Sequence, residues 1–210
     1  MLKNYEKLPN GVIKQKKIIN SIQKYDTEYI TSRYNSYGEK GLQMSYLRLG
    51  VLLGVIPNKI NSILDVGYGN GDFLSICTDT ISNCFGHDIT NYGLPEKVTF
   101  VEDITSNFYD VICFFDSLEH FESISFVNNL RCNYIYISLP WCHYTTDNWF
   151  ENWKHRRVDE HLWHFNDESL TNFFSECNFE KIYQSSVEDI IRKSDSDLPN
   201  ILTCIFKRKT

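Results

Sequence analysis

The sequence predicts an α/β fold, a mostly parallel seven-stranded sheet with an antiparallel hairpin at its edge and helices at the N-terminus. Three observations predict it. Five short β-branched or aromatic runs, at 63–66, 84–89, 98–101, 111–115 and 134–139, are apolar almost throughout, as strands covered on both faces must be. Most are separated by segments able to form a helix. The first run is followed by Gly67, Gly69 and Gly71, at the point where open α/β sheets bind ligands.

In chain order, Val12, Ile13, Ile18, Ile19 and Ile22 stand among lysines and predict a surface helix over 12–25. A second helix is expected over 39–56. Pro57 stops it, and Gly50 and Gly54, one turn apart, are expected to let its backbone approach a neighbouring element. The tyrosine-rich stretch at 29–40, with Arg33, is a candidate to fold over a ligand.

Only residues 90–97 join the second run to the third, and the third lies nearly as close to the fourth. A parallel crossover normally takes about a dozen residues or more. Those helices are therefore expected as trimmed loops, or the 98–101 run as a ragged edge strand. Past residue 165, NDESLTNFFSECNF predicts a helix capped by Asn166 or Asp167, with Phe173, Phe174 and Cys177 inside. The runs at 181–187 and 201–207 are expected to pair antiparallel.

The 210 residues, 42% hydrophobic and 15% aromatic, bound one core and one structural domain: an N-terminal helical segment, 1–58, packing on a domain over 59–210. A formal charge of -6 disfavours nucleic acid as a partner. The seven cysteines, odd in number and without a C-x-x-C pair, read as free thiols in a reducing compartment. LGVLLGVIP at 49–57 is too short to span a bilayer, and the first residues lack the apolar core of a signal peptide. A cytoplasmic protein without a membrane partner is expected; nothing in the sequence speaks to oligomeric state.

Residues 64–73, LDVGYGNGDF, carry the chemistry. The glycines bare the backbone to a ligand, and the amides opening the next helix face it. A dinucleotide fingerprint needs a third glycine where Asp72 stands, and that carboxylate, with Asp65, repels a pyrophosphate. No Lys-Ser or Lys-Thr follows, which excludes a P-loop. S-adenosylmethionine, net positive through its sulfonium and ammonium, suits an acid-lined pocket.

DVGYGNG at 65–71 resembles the glycine motif of class I S-adenosylmethionine-dependent methyltransferases. YDVICFFDSLEHF at 109–121 is similar to that family's fourth-strand motif, YISLPW at 136–141 to its fifth strand, and DEHLWHFNDESL with CNFEKI to a pattern of small-molecule and sugar methyltransferases. The resemblance covers roughly residues 60–207. It implies a Rossmann-like three-layer sandwich and a cofactor site of Asp65, Gly67, Tyr68, Gly69 and Gly71. Asp88, with Ile89, stands where the family places its ribose acid. Asp103 or its neighbour Glu102 is placed near the adenine, and Asp116 and Ser117 follow the fourth strand.

All four tryptophans (141, 149, 153 and 163) and the histidines 143, 155, 161 and 164 fall within residues 139–165. Aromatic walls with a few polar groups make small-ligand pockets. Trp141, His143, Trp153, Arg156 and Trp163 are the acceptor-binding candidates, and His161 or His164 the candidate base. A rigid lid whose tryptophans bury themselves is the competing reading of this segment. Beside Arg156, Lys154 and Arg157 suit a phosphate or carboxylate on the acceptor, or form a solvated face.

The leading expectation is methyl transfer to a small-molecule or sugar acceptor at oxygen. The alternatives are a nucleic-acid base, against which the -6 charge and SLPW in place of an aminomethylation motif both stand, and a silent binding module. No metal site is expected, since the clustered histidines, including HRRVD at 155–159, lack a recognised ligand spacing.

Overall fold

The computed structural model describes residues 3–20, 38–90, 93–194 and 197–210; the expectations for Arg33 and most of the 29–40 stretch lie outside them. Its strands are β1 Tyr5–Lys7, β2 Ile13–Gln15, β3 Ser62–Val66, β4 Asn83–His87, β5 Val98–Phe100, β6 Phe108–Phe115, β7 Arg131–Pro140, β8 Trp163–His164, β9 Phe179–Ser185 and β10 Ile201–Arg208. The helices are α1 Glu39–Val55, α2 Asp72–Cys77, α3 Asp147–Asn152 and α4 Asp167–Glu176.

Seven strands form one sheet in the order β5-β4-β3-β6-β7-β10-β9. β3 runs parallel to both β4 and β6, and β4 parallel to β5. Strand β3 is interior to the sheet, and its Ile63, Leu64 and Val66 are shut from water on both faces. At the far edge β9 and β10 pair antiparallel, Thr203 opposite Ser185, with a bulge between Ile205 and Phe206. This is the Rossmann-like arrangement of a mostly parallel sheet with an antiparallel edge.

The trimmed crossovers and the ragged edge strand occur together. β5 has three residues, and no helix stands among the described residues between β4 and β6. Val101 N–H donates to Gly86 C=O, which carries the pairing one residue past the strand.

The helix expected over 12–25 is not formed by its described residues. Leu8 and Val12 close a hairpin around Asn10-Gly11, Leu8 N–H donating to Val12 C=O, and Gly11 takes φ 91°. β1, β2 and β8 then make a small antiparallel sheet, with Ile13 opposite His164 and Lys14 opposite Trp163. Ile13 and Gln15 are buried in alternation, while Ile18 and Ile19 are exposed, so the apolar residues follow no helical stripe.

Contacts divide the chain into two compact units, residues 24–115 with 129–137, and residues 1–23 with 116–128 and 138–210. The N-terminal segment expected over 1–58 is shared between them, α1 in the first and β1 and β2 in the second.

In the first unit α1 buries Met44, Ser45, Leu49 and Leu52 and packs beside α2. Gly50 and Gly54 lie off that face, and a Cβ on either meets nothing within 4 Å. The close approach expected of them is absent among the described residues.

In the second unit α4 begins in a capping box. Asn166 Oδ1 accepts from Ser169 N–H, and Asn166 N–H donates to Ser169 Oγ. Phe174 stacks on Phe206, centroids 4.4 Å apart, and meets Phe179 edge to face. All seven cysteines are buried free thiols. No helix among the described residues is long and apolar enough to cross a membrane.

Candidate functional site

Gly67, Gly69 and Gly71 carry the chain from β3 into α2, all at positive φ (83°, 58° and 78°). At Gly71 a side chain fails twice: the backbone is left-handed, and a Cβ would lie 2.6 Å from Pro95 Cγ. Tyr68 is buried, and its ring edge would meet a Cβ on Gly86 of β4 at 2.8 Å. The missing side chains let loop and strand lie against each other.

Asp88, just past β4, ties this loop. One carboxylate oxygen accepts from Gly69 N–H at 3.0 Å, and the other accepts from Thr90 N–H and Oγ1–H at 2.8 and 2.7 Å. A carboxylate offers about four lone-pair sites, so the oxygen facing the loop keeps capacity for another donor. Ile89 beside it is 76% exposed, an apolar surface with nothing over it among the described residues.

Asp65, the last residue but one of β3, is 3% exposed, and its Oδ1 accepts no hydrogen bond among the described residues. Burial pushes its pKa up to about 7, Arg48 of α1 pulling it down and Asp88 pushing it up. A buried carboxyl with an idle acceptor is a group prepared for a cationic or N–H-bearing partner. The Arg48 guanidinium lies 4.2 Å from the Phe115 ring centroid. Nothing in the sequence singled out Arg48, since only the fold brings α1 to this place. Asp103 is an exposed turn acid, accepting from Thr105 N–H and Oγ1–H, which hold its pKa low. Glu102 is exposed as well.

In the second unit Asp116 has φ 51°, and both its oxygens accept from the Arg192 guanidinium at 2.7 and 3.0 Å. Ser117 is buried, with no partner for its Oγ among the described residues.

Much of the Trp/His segment packs on itself. The Trp141 ring stacks on His143 at 5.3 Å, Trp149 stacks on Trp153 at 5.4 Å, and His143 Nε2 donates to Pro199 C=O at 2.7 Å. His143, Trp149, Trp153 and Asn200 help to line a cleft of about 600 Å3. Trp163 is buried, its Nε1–H donating to Phe121 C=O and Lys14 standing over its face. Arg156 lies over the rings of Tyr5 and Phe150, while Arg157 pairs with Glu160 at 2.8 Å.

The two candidate bases have different surroundings. His164 is boxed by Tyr5, Phe150 and Trp153, its Nε2 meets no partner among the described residues, and burial above all brings its pKa down to about 3. His161 is also buried and held well below the usual range by burial and then by His120 and His164. It touches other polar rings, meeting His120 edge to face at 4.6 Å and stacking on His155 at 6.5 Å. His155 Nε2 reaches Asn200 Oδ1 of the cleft wall at 2.9 Å.

A family model described as a methyltransferase domain matches residues 34–184. Among solved structures, magnesium protoporphyrin IX methyltransferase from Synechocystis with bound SAH is 13% identical over 80% of this chain and 84% of that one, TM-score 0.55. The 1,6-didemethyltoxoflavin-N1-methyltransferase of Burkholderia thailandensis, solved with 1,6-didemethyltoxoflavin and S-adenosylhomocysteine, is 13% identical over 99% and 100%, TM-score 0.57. YcgJ of Bacillus subtilis is 14% identical over 79% and 99%, TM-score 0.58. No curated protein matches the chain.

Proposed function

This chain belongs to the methyltransferase-domain family whose model it matches, as a class I S-adenosylmethionine-dependent enzyme, and we propose that it methylates a small molecule at oxygen. The observation that carries the donor half is Asp65, a buried carboxyl with an idle oxygen at the head of three positive-φ glycines. The ammonium of S-adenosylmethionine supplies a donor for the idle Asp65 oxygen. The ribose hydroxyls suit Asp88, whose loop-facing oxygen keeps a lone pair, and the adenine suits exposed Ile89, with Asp103 kept as a further candidate for it. We assign the donor to these residues with Gly67, Tyr68, Gly69 and Gly71, and leave Asp116 to Arg192.

The acceptor assignment rests on the cleft of His143, Trp149 and Trp153, aromatic walls with a few polar groups. Trp141 backs His143. Trp163 and Arg156 serve the packing of the segment, since their polar or charged ends are turned to Phe121 and to the Tyr5 and Phe150 rings. Oxygen is favoured because the segment carries histidines able to help a hydroxyl lose its proton. Of the two candidates we keep His161, because His164 is enclosed by the rings of Tyr5, Phe150 and Trp153, whereas His161 meets His120 and His155. The negative net charge speaks against a nucleic-acid acceptor.

Calorimetry with S-adenosylmethionine, its demethylated product and a nicotinamide dinucleotide tests the donor. Micromolar binding of the first two, about 8 kcal/mol, is expected, with loss in Asp65→Ala and Gly71→Ala. Unchanged affinity in a folded Asp65→Ala protein would overturn the donor site. A labelled-methyl screen of small hydroxylated acceptors tests the rest, and label on nitrogen or carbon alone would refute O-methylation.

A further inference from the structure

Two neighbouring side chains and a third from far along the chain meet in the second unit. Glu119 and His120 close the 3-10 turn Leu118–His120, and His161 precedes β8. Their ligand-type atoms all lie within 4.8 Å of one another. His120 Nε2 is 3.9 Å from a Glu119 carboxylate oxygen. Glu119 and His161 are 2% and 4% exposed, so the group sits out of bulk water with one partly open side at His120.

The surrounding hydrogen bonds fix the rings for ligation. His120 Nδ1–H donates to Glu160 C=O at 2.9 Å; a carbonyl only accepts, so in the neutral ring the lone pair is on Nε2, the atom beside Glu119. Leu162 N–H donates to Glu119 C=O at 2.8 Å, and Arg157 holds the Glu160 carboxylate at 2.8 Å. The turn and residues 160–162 are thereby clamped together.

We propose that Glu119, His120 and His161 bind one divalent first-row cation of the zinc type. Two imidazoles and a carboxylate are the donors such ions take, whereas magnesium prefers oxygen alone. Ligands of a tetrahedral zinc stand about 3.4 Å apart, so the cluster closes on the ion by side-chain rotations of roughly an ångström. Three protein ligands leave a position for water or for an oxygen of the acceptor. That last use rests on the proposed O-methylation, and gives His161 its part through the ion; the binding of the cation does not depend on it.

The competing arrangement is a buried Glu119–His120 ion pair with no metal. The chelator-stripped full chain is titrated with Zn2+ against a chromophoric chelator, and with Co2+ by visible absorption. The site predicts one Zn2+ per chain at micromolar affinity or tighter, Co2+ bands of low coordination number, and no competition from Mg2+. Glu119→Gln, His161→Ala and His120→Asn each weaken Zn2+ at least about 100-fold, while His87→Ala leaves it unchanged. His120→Asn is the informative variant, because its amide keeps the bond to Glu160 C=O and loses only the Nε2 ligand. No stoichiometric Zn2+ in the wild type, or equal affinity in His120→Asn, overturns the proposal. Zinc is measured without donor, and S-adenosylmethionine binding by each variant reports its folding. A wild type that binds zinc but no S-adenosylmethionine sinks the donor site and leaves this one standing.

Discussion

Arg192 grips Asp116 through two hydrogen bonds, 2.7 and 3.0 Å, and reaches the Glu188 carboxylate at 3.3 Å with the same guanidinium. One cation thus balances two carboxylates, of which the Glu188 side chain is wholly inaccessible. Arg192→Ala is expected to cost about 2 to 4 kcal/mol in denaturant unfolding, because a buried carboxylate is left without it. Arg192→Lys should recover less than half, having no planar fork to hold both Asp116 oxygens.

Asp65 makes the stability of the ligand-free protein depend on pH. Its folded pKa, about 7, is above the ordinary 3.8, so the folded state holds a proton that the unfolded state has released. The stabilising contribution is full below about pH 4 and lost as pH rises through about 7. Asp65→Asn should flatten this slope and be more stable than the wild type near pH 8, by on the order of a few kcal/mol, while binding no S-adenosylmethionine. Thermal melts across that range check it.

His164 acts with the opposite sign. Its folded pKa of about 3 is below the ordinary 6.5, so its contribution is full above about pH 6.5 and lost as pH falls towards 3. His164→Phe keeps a ring in the box of Tyr5, Phe150 and Trp153 and takes no proton. Its melting temperature is expected to fall less than that of the wild type between about pH 6 and 4.

Gly50 and Gly54 lie on the open side of α1, with nothing within 4 Å of an added Cβ. Each substitution by alanine is expected to stabilise by about 0.5 to 1 kcal/mol, since neither added Cβ meets a partner element among the described residues. A shift in denaturant midpoint without a change in slope is the measurement.

The parallel strands were legible because Ile63, Leu64 and Val111–Phe114 are apolar whichever way they point, and only a sheet covered on both faces asks for that. The glycine loop was legible because a ligand-approach turn leaves its mark in residue identity. The 12–25 stretch misled: isoleucines at near-helical spacing outweighed Asn10-Gly11, the hairpin signal just ahead of them. Contacts made only in three dimensions left no local trace. Arg48 reaches Asp65 and Phe115 from another element, and Arg192 reaches Asp116 across most of the second unit's sequence. DSLEHF was recognised as a motif, but the meeting of its Glu119 and His120 with His161 needed the fold.

The two margins of the large sheet bear on how the chain behaves among other copies of itself. At one margin β5 offers only three residues of backbone, too few to template a foreign strand. At the other, β9 carries Glu180 and Lys181 and holds the extra residue of a bulge, Ile182, opposite Ile205/Phe206, so this edge is charged and twisted away from flat. A sheet so rich in β-branched and aromatic residues would otherwise invite edge-to-edge stacking, and its short and bulged borders keep that apolar content from becoming a path to fibrils.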